Sequence, residues 1–253
     1  MRTKLLMATA ALALAMPAMA SAQGTGPLGN ADVIRLSDWR YDDLYTGGWS
    51  LENFIDEVEV YGPAGEEIGD IENVVMGPDG RILSVIAEVG GLWDIGDTHV
   101  NVPWDQVSLT GDGKGVIIPV TEETVEDFSL FDADHLRAAE AAGNVQEVDD
   151  DVEVGPRAWR ATELIDDYVR LSDGTNYGYV DDLIIKDGKV AAVVVKPDVA
   201  YGVGGPYAYP YYGYGAGWRP GLDYYEMPYR STDVTDRETF DYGALDDDVA
   251  TID

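Results

Sequence analysis

No cysteine occurs in this chain of 253 residues, and histidine occurs only twice, as His99 and His135. Without thiols there is no disulfide staple, no thiolate nucleophile and no cysteine-ligated zinc, so the fold must hold by its packed core. The two histidines lack the H-x-x-x-H spacing of a zinc protease, and no serine sits in a G-x-S-x-G turn. Carboxylates abound, yet no D-x-[DN]-x-[DN]-G loop arranges them for calcium. Glu66, Glu67, Asp70 and Glu72, like Asp149, Asp150 and Asp151, therefore read as solvated charge with weak, unspecific cation affinity; no metal site and no cofactor is expected. The stretch GVGG from Gly202 to Gly205 lacks the βαβ setting of a phosphate loop. His99 lies in a strand-like T-H-V-N-V-P and reads as an outward or satisfied strand residue, and His135 reads as an exposed residue of a D-A-D-H-L-R-A-A-E helix. A protein that is not an enzyme is the expectation.

Basic residues are scarce as well, 16 against 48 acidic ones, for a formal net charge of −32. Such a field repels phosphate backbones and anionic lipid, which argues against nucleic acid as a partner and against strong membrane binding. The apolar stretch at residues 5–16 is too short for a bilayer span of ~20 residues. It follows Arg2 and Lys4 and runs into Pro17 and then Ala20-Ser21-Ala22, the order of a secretory signal peptide. Cleavage after Ala22 would leave 14 basic and 48 acidic residues, a formal charge of −34. The expected address is the periplasm of a Gram-negative bacterium.

What the chain does contain is one pattern used twice. GEEIGDIENVVMGPDGRILSVIAEV, residues 65–89, returns as GTNYGYVDDLIIKDGKVAAVVV, residues 174–195. Ile55-Asp56 recurs as Ile165-Asp166, Ile71 as Val180, Val74 as Leu183, and Asp79-Gly80-Arg81-Ile82 as Asp187-Gly188-Lys189-Val190. An offset near 109 residues is too long for a solenoid and reads as domain duplication. In each copy an alternating strand (residues 58–60 and 169–171) precedes a Gly turn, a second strand (68–76 and 177–185), a D-G hairpin, and an apolar β-branched run (82–86 and 190–195). Gly65, Gly69, Gly80, Gly174, Gly178 and Gly188 are the structural turn positions. Short antiparallel strands joined by Gly turns predict an all-β chain with one small closed barrel per copy. The first copy closes with THVNVPW, residues 98–104. Matching this to DYYEMPY, residues 223–229, lengthens the offset by 17 residues, so the second copy is expected to carry a Tyr/Gly-rich insertion, GVGGPYAYPYYGYGAGWRPG, residues 202–221.

Two copies of E-x-[IV]-G-x-I-x-[DN]-[LV]-[VI], each followed by D-G-[RK]-[IV], with a closing V-P-[WF]-D, resemble PRC-barrel domains. Gly65, Glu67, Gly69, Asp70, Ile71, Asp79, Gly80, Arg81 and Val102-Pro103-Trp104-Asp105 carry the resemblance in the first copy. In the second, Tyr177 and Tyr179 stand where the first has Glu67 and Asp70, and the likeness rests on spacing as much as identity. The family includes the cytoplasmic barrel of the H subunit of photosynthetic reaction centres, the C-terminal domain of a ribosome-maturation factor, and many exported bacterial proteins. The resemblance implies tandem antiparallel barrels that dock on larger assemblies, hence a non-enzymatic adaptor or scaffold whose partners are envelope proteins. An accessory role in electron transfer is a more distant implication.

The expected division is a signal peptide (1–22), an N-terminal extension (23–49), a first barrel (50–109), an acidic linker (110–158), a second barrel with its insertion (159–232) and an acidic tail (233–253). Asp132 or Asp134 would cap a short linker helix ending at Gly143. The tail holds eight acids and one arginine and reads as disordered. Tyr207, Tyr209, Tyr211, Tyr212, Tyr214 and Trp218 form the candidate interaction surface, since such side chains pair a broad apolar face with a polar tip. A small-ligand module that stacks glycans or aromatic compounds on them is the alternative function; packing against a barrel, with Trp218 as anchor, is the competing structural reading.

Overall fold

A computed structural model describes residues 33–90, 98–111, 114–155, 157–201 and 204–245. The expected signal peptide and cleavage site, the extension up to residue 32, Gly202-Val203 and residues 246–253 lie outside them. No helix among the described residues is long and apolar enough to cross a membrane.

In chain order the elements are α1 (Asp42–Tyr45), β1 (Trp49–Ser50), α2 (Leu51–Glu57), β2 (Glu59–Tyr61), β3 (Glu67–Met76), β4 (Ile82–Val89), β5 (Thr98–Pro103), β6 (Ser108–Leu109), β7 (Gly115–Ile117), α3 (Ala138–Ala141), β8 (Gln146–Val148), β9 (Trp159–Arg160), β10 (Tyr168–Leu171), β11 (Asn176–Lys186), β12 (Lys189–Pro197), β13 (Tyr207–Pro210) and β14 (Tyr224–Met227). The chain is all-β in class, with two sheets. One runs β6-β7-β2-β3-β4-β5-β8 with β9 beside β3, and the other runs β13-β12-β11-β10-β14 with β1 beside β11. Pairing in each follows an open path rather than the closed ring expected. Two pairs, β2 with β7 and β10 with β14, are parallel, a departure from purely antiparallel barrels.

Packing takes the place of closure. Val60, Val74, Val85 and Val102 of the first sheet share one apolar core with Val169, Val180, Val193 and Tyr209 of the second. The units also exchange strands. Trp49-Ser50, which leads into the first unit, pairs with Ile185 and Ile184 of β11, while Trp159-Arg160, which leads into the second, pairs with Met76 and Val75 of β3. The two hairpin tips clasp each other: Ile82 N–H donates to Gly188 O at 3.0 Å and Val190 N–H to Gly80 O at 2.9 Å. Each of these contacts has its counterpart about 109 residues along the chain.

Gly69 and Gly178 are required by close approach. A Cβ there would meet the carbonyl oxygen of Glu88 at 1.8 Å or of Lys196 at 2.2 Å on the neighbouring strand. Gly65, Gly80, Gly174 and Gly188 take positive φ in turns.

The expected insertion is not one. Strand β13 pairs Tyr209 with Val193 and Pro210 with Ala192, just as β5 pairs Val102 with Val85 and Pro103 with Ser84. The counterpart of Val102-Pro103-Trp104 is therefore Tyr209-Pro210-Tyr211, and DYYEMPY instead supplies β14, which pairs with β10 as β7 pairs with β2. Two apolar–Pro–aromatic triplets compete in the second copy, and only the hydrogen-bonded register separates them.

The described parts of the linker and residues 233–245 of the tail cover the sheets. Leu136, Ala141, Val148, Val152 and Ala158 bury the outward Val75 and Ile86 of the first sheet, and β8 extends that sheet beyond β5. The helix there is only Ala138–Ala141 with no side-chain cap, and His135 lies before it, 3.1 Å from Glu153. Residues 233–245 are not disordered: Phe240 and Leu245 pack with Tyr41 and Leu44 on the outward Ile184, Val194 and Ala208 of the second sheet. A few apolar side chains suffice where a sheet offers an apolar outer face.

Candidate functional site

The tyrosine-rich run folds inward. Tyr209 is 0% and Trp218 1% exposed, while Tyr207, Tyr211, Tyr212 and Tyr214 pack partly buried against the core. Tyr209 and Tyr177 share a hydroxyl–hydroxyl hydrogen bond of 2.7 Å, and Trp218 Nε1–H donates to Asp167 Oδ2 at 2.6 Å. Tyr212 and Tyr229 hydroxyls meet at 2.5 Å, and Tyr229 donates to Ile34 O at 2.9 Å. Burial pushes the Tyr177 phenol up to about 12 and holds that of Tyr209 higher still, with Tyr177 adding to the effect. Tyr209 and Trp218 are thus withdrawn from the surface, and the run packs against the shared core, with Tyr211 beside Gly80 of the other unit.

Each long strand carries a bulge, and the bulges hold polar groups between the units. Residues Asn73 and Asp182 follow the register shifts in β3 and β11. Asp182 is fully buried; Ser50 Oγ–H donates to its Oδ2 at 2.6 Å, and the N–H groups of Glu52 and Leu183 donate to its Oδ1 at 2.9 and 2.6 Å. Asn73 answers it, accepting from Val74 N–H at 3.0 Å and donating to Thr162 Oγ1 at 2.7 Å. These groups tie each unit to the segment entering the other.

The bulged residue before Asn73 is Glu72. Its Oε2 is buried and lies 3.0 Å from His99 Nε2, and Asp150 Oδ1 lies 3.9 Å from the same nitrogen. Burial raises the Glu72 carboxyl above its ordinary range, His99 opposing and Asp150 adding to the rise. Spacing along the chain points to no metal site; the fold nonetheless brings one imidazole and two carboxylates within 4.8 Å of one another. One imidazole with two carboxylates is a donor set that suits a borderline divalent ion such as zinc. A bulge, which re-aims a side chain, is the feature that no residue pattern announced.

Away from these coverings, the outward faces of the two sheets carry different side chains among the described residues. Across β14, β10, β11 and β12 the directly opposed residues are Tyr224, Tyr168, Tyr179 and Lys196. Tyr168 is 65% exposed, the Arg170 guanidinium lies 4.0 Å over the Tyr224 ring, and Lys196 Nζ is 5.9 Å from the Tyr179 ring centre. The same row across β7, β2, β3, β4 and β5 reads Gly115, Glu59, Asp70, Glu88 and His99. Partial burial raises the Glu59 carboxyl, and Asp70 and Glu67 raise it further.

Residues 55–125 match the family model of the PRC-barrel domain. The chain carries a PRC-barrel domain. No curated protein matches the chain. The PRC-barrel segment takes in β2 through β7, so it runs past the boundary at residue 109 that the sequence motifs suggest and includes the parallel strand Gly115–Ile117. A PRC-barrel domain is in general a protein-interaction or scaffold module, and the carboxylate row lies on it.

Proposed function

We propose that this protein is an exported, non-enzymatic scaffold of the bacterial envelope, in which two PRC-type units joined as one body hold protein partners on two unlike faces. The observation that carries this reading is the reciprocal exchange of β1 and β9. Exchanged strands and a common core hold the units in one orientation, which a scaffold needs and which independently tumbling domains lack. The outward faces agree in backbone but differ in charge, so each would select its own partner. Export is read from residues 1–22 and the interaction role from the PRC-barrel match.

The test is fractionation of the native host together with cross-linking capture of the tagged protein. A mature chain beginning at Gln23 in the periplasmic fraction, and a defined set of captured envelope proteins reduced by Asp70→Lys or Lys196→Glu, are the expected results. Retention in the cytosol, or no partner above background, would refute the reading.

A further inference from the structure

The two bulges treat their carboxylates differently. In the second unit Asp181, the equivalent of Glu72, accepts from the Tyr242 hydroxyl at 3.4 Å. In the first, Glu72 of β3 meets His99 of β5 and Asp150 of the turn after β8. Glu72 Oε2 is buried without a hydrogen-bond partner among the described residues, although His99 Nε2 lies only 3.0 Å away. A proton on the line between these atoms would make a hydrogen bond; a cation held to one side of both needs none. Burying a carboxylate oxygen is costly unless a donor or a positive charge answers it. Arg160 answers it weakly: its effect on Glu72 is smaller than those of His99 and Asp150, and its guanidinium lies 3.9 Å from Glu163. Glu88, directly opposite His99 on β4, is itself engaged by a partner and lies outside the set.

We propose that Glu72, His99 and Asp150 bind one borderline divalent cation of the zinc class. The two carboxylate oxygens lie 3.0 and 3.9 Å from His99 Nε2, and all three donor atoms fall within 4.8 Å of one another. Bonds of about 2.1 Å in a tetrahedron set ligand atoms about 3.4 Å apart, so small side-chain movements bring the three around one ion. Charge agrees as well, since a neutral imidazole and two carboxylates balance a divalent ion. The imidazole favours zinc over calcium and magnesium, which prefer oxygen ligands alone. Asp150 is 81% exposed, so the ion can enter from solvent and water reaches the fourth position. Bound there, the ion would clamp the turn after β8 to β3 and β5, and with it the cover of Leu136, Val148 and Val152 over the first sheet. The inference goes beyond the scaffold reading and stands whether or not protein partners are captured.

Calorimetric titration of the mature chain with zinc, in excess magnesium and calcium, decides the matter. Wild type should take up one zinc ion per chain and melt about 5–10 °C higher at ~100-fold excess over Kd, and a chelator should reverse both. His99→Ala, Glu72→Gln and Asp150→Asn should each weaken uptake at least ~10-fold. His135→Ala, which removes the other histidine, and Asp149→Asn, which removes a neighbouring acid outside the set, should bind like wild type. Cooperative melts in chelator show which variants are folded, and Asp150→Asn, in an exposed turn, carries the test if the strand variants fail there. Cobalt(II) in place of zinc should absorb visible light on wild type and lose that absorption with Asp150→Asn or His99→Ala, a change that general surface charge does not produce. A wild type that takes up no zinc with Kd below ~1 mM overturns the inference. So does uptake that falls alike in Asp149→Asn and Asp150→Asn, the mark of diffuse attraction to an acidic surface.

Discussion

Asp182 and Asn73 occupy equivalent places in the two units and meet the same demand with different charge. Both accept from the N–H of the next residue, and both reach a hydroxyl of the segment arriving from the other unit. Burial pushes the Asp182 carboxyl up to about 7, against the downward pull of Ser50, Glu52 and Leu183. A carboxyl raised from 3.8 to about 7 on folding adds stability that is complete below pH ~3.8 and is lost as pH rises through 7. The Asn73 arrangement shows that a neutral amide fits this geometry. Asp182→Asn should therefore melt higher than wild type at pH 8 and show a smaller loss of stability between pH 5 and 8. Asp182→Ala, which leaves Ser50, Glu52 and Leu183 without their acceptor, should lose about 1–3 kcal/mol at any pH. Thermal unfolding of the three proteins at several pH values checks both. None of this was legible in the sequence, where Asp181-Asp182 is one acidic pair among many.

At the scale of elements, the tyrosine-rich run acts as strand β13 and its continuation to Trp218. Trp218 packs edge-on against Trp159 with ring centres 5.1 Å apart, so Trp218→Ala should cost about 3–5 kcal/mol and deletion of residues 207–211 should abolish folding. The Tyr211 hydroxyl is buried without a hydrogen-bond partner among the described residues. Tyr211→Phe removes that desolvated group and keeps the ring that stacks on Tyr225, so it should raise stability by up to ~1 kcal/mol; denaturant titration of each variant reads these values. The hairpins and long strands were visible in the sequence because D-G turns and β-branched runs are local signals. The closing strand was not. Glycine and proline around Tyr207, Tyr209 and Tyr211 mimic a loop, and the pairing that makes it a strand comes from β12.

The whole molecule is one cooperative unit if exchange and core-sharing are as strong as their burial implies. Trp49 and Trp159 are both buried in the common core while pairing with the other unit's strand. Calorimetry should show a single transition with equal calorimetric and van't Hoff enthalpies. Residues 33–125 alone, lacking β9 and the facing sheet, should not give a native-like melt, and adding residues 126–245 should restore one. Two separate transitions would show that the units are independent domains.

The all-β class and the PRC-barrel signature of residues 55–125 were determined by the sequence itself, because turn glycines and two-residue periodicity are properties of neighbouring residues. Which side chains are wet was decided only in the tertiary structure. Tyr209 and Trp218 are buried while Tyr168 is exposed, and Glu72 of β3, His99 of β5 and Asp150 of the turn after β8 come together. The reason is physical: burial and electrostatic environment depend on what packs opposite a residue, and in this fold that neighbour is often supplied from the other unit, about one repeat length away along the chain.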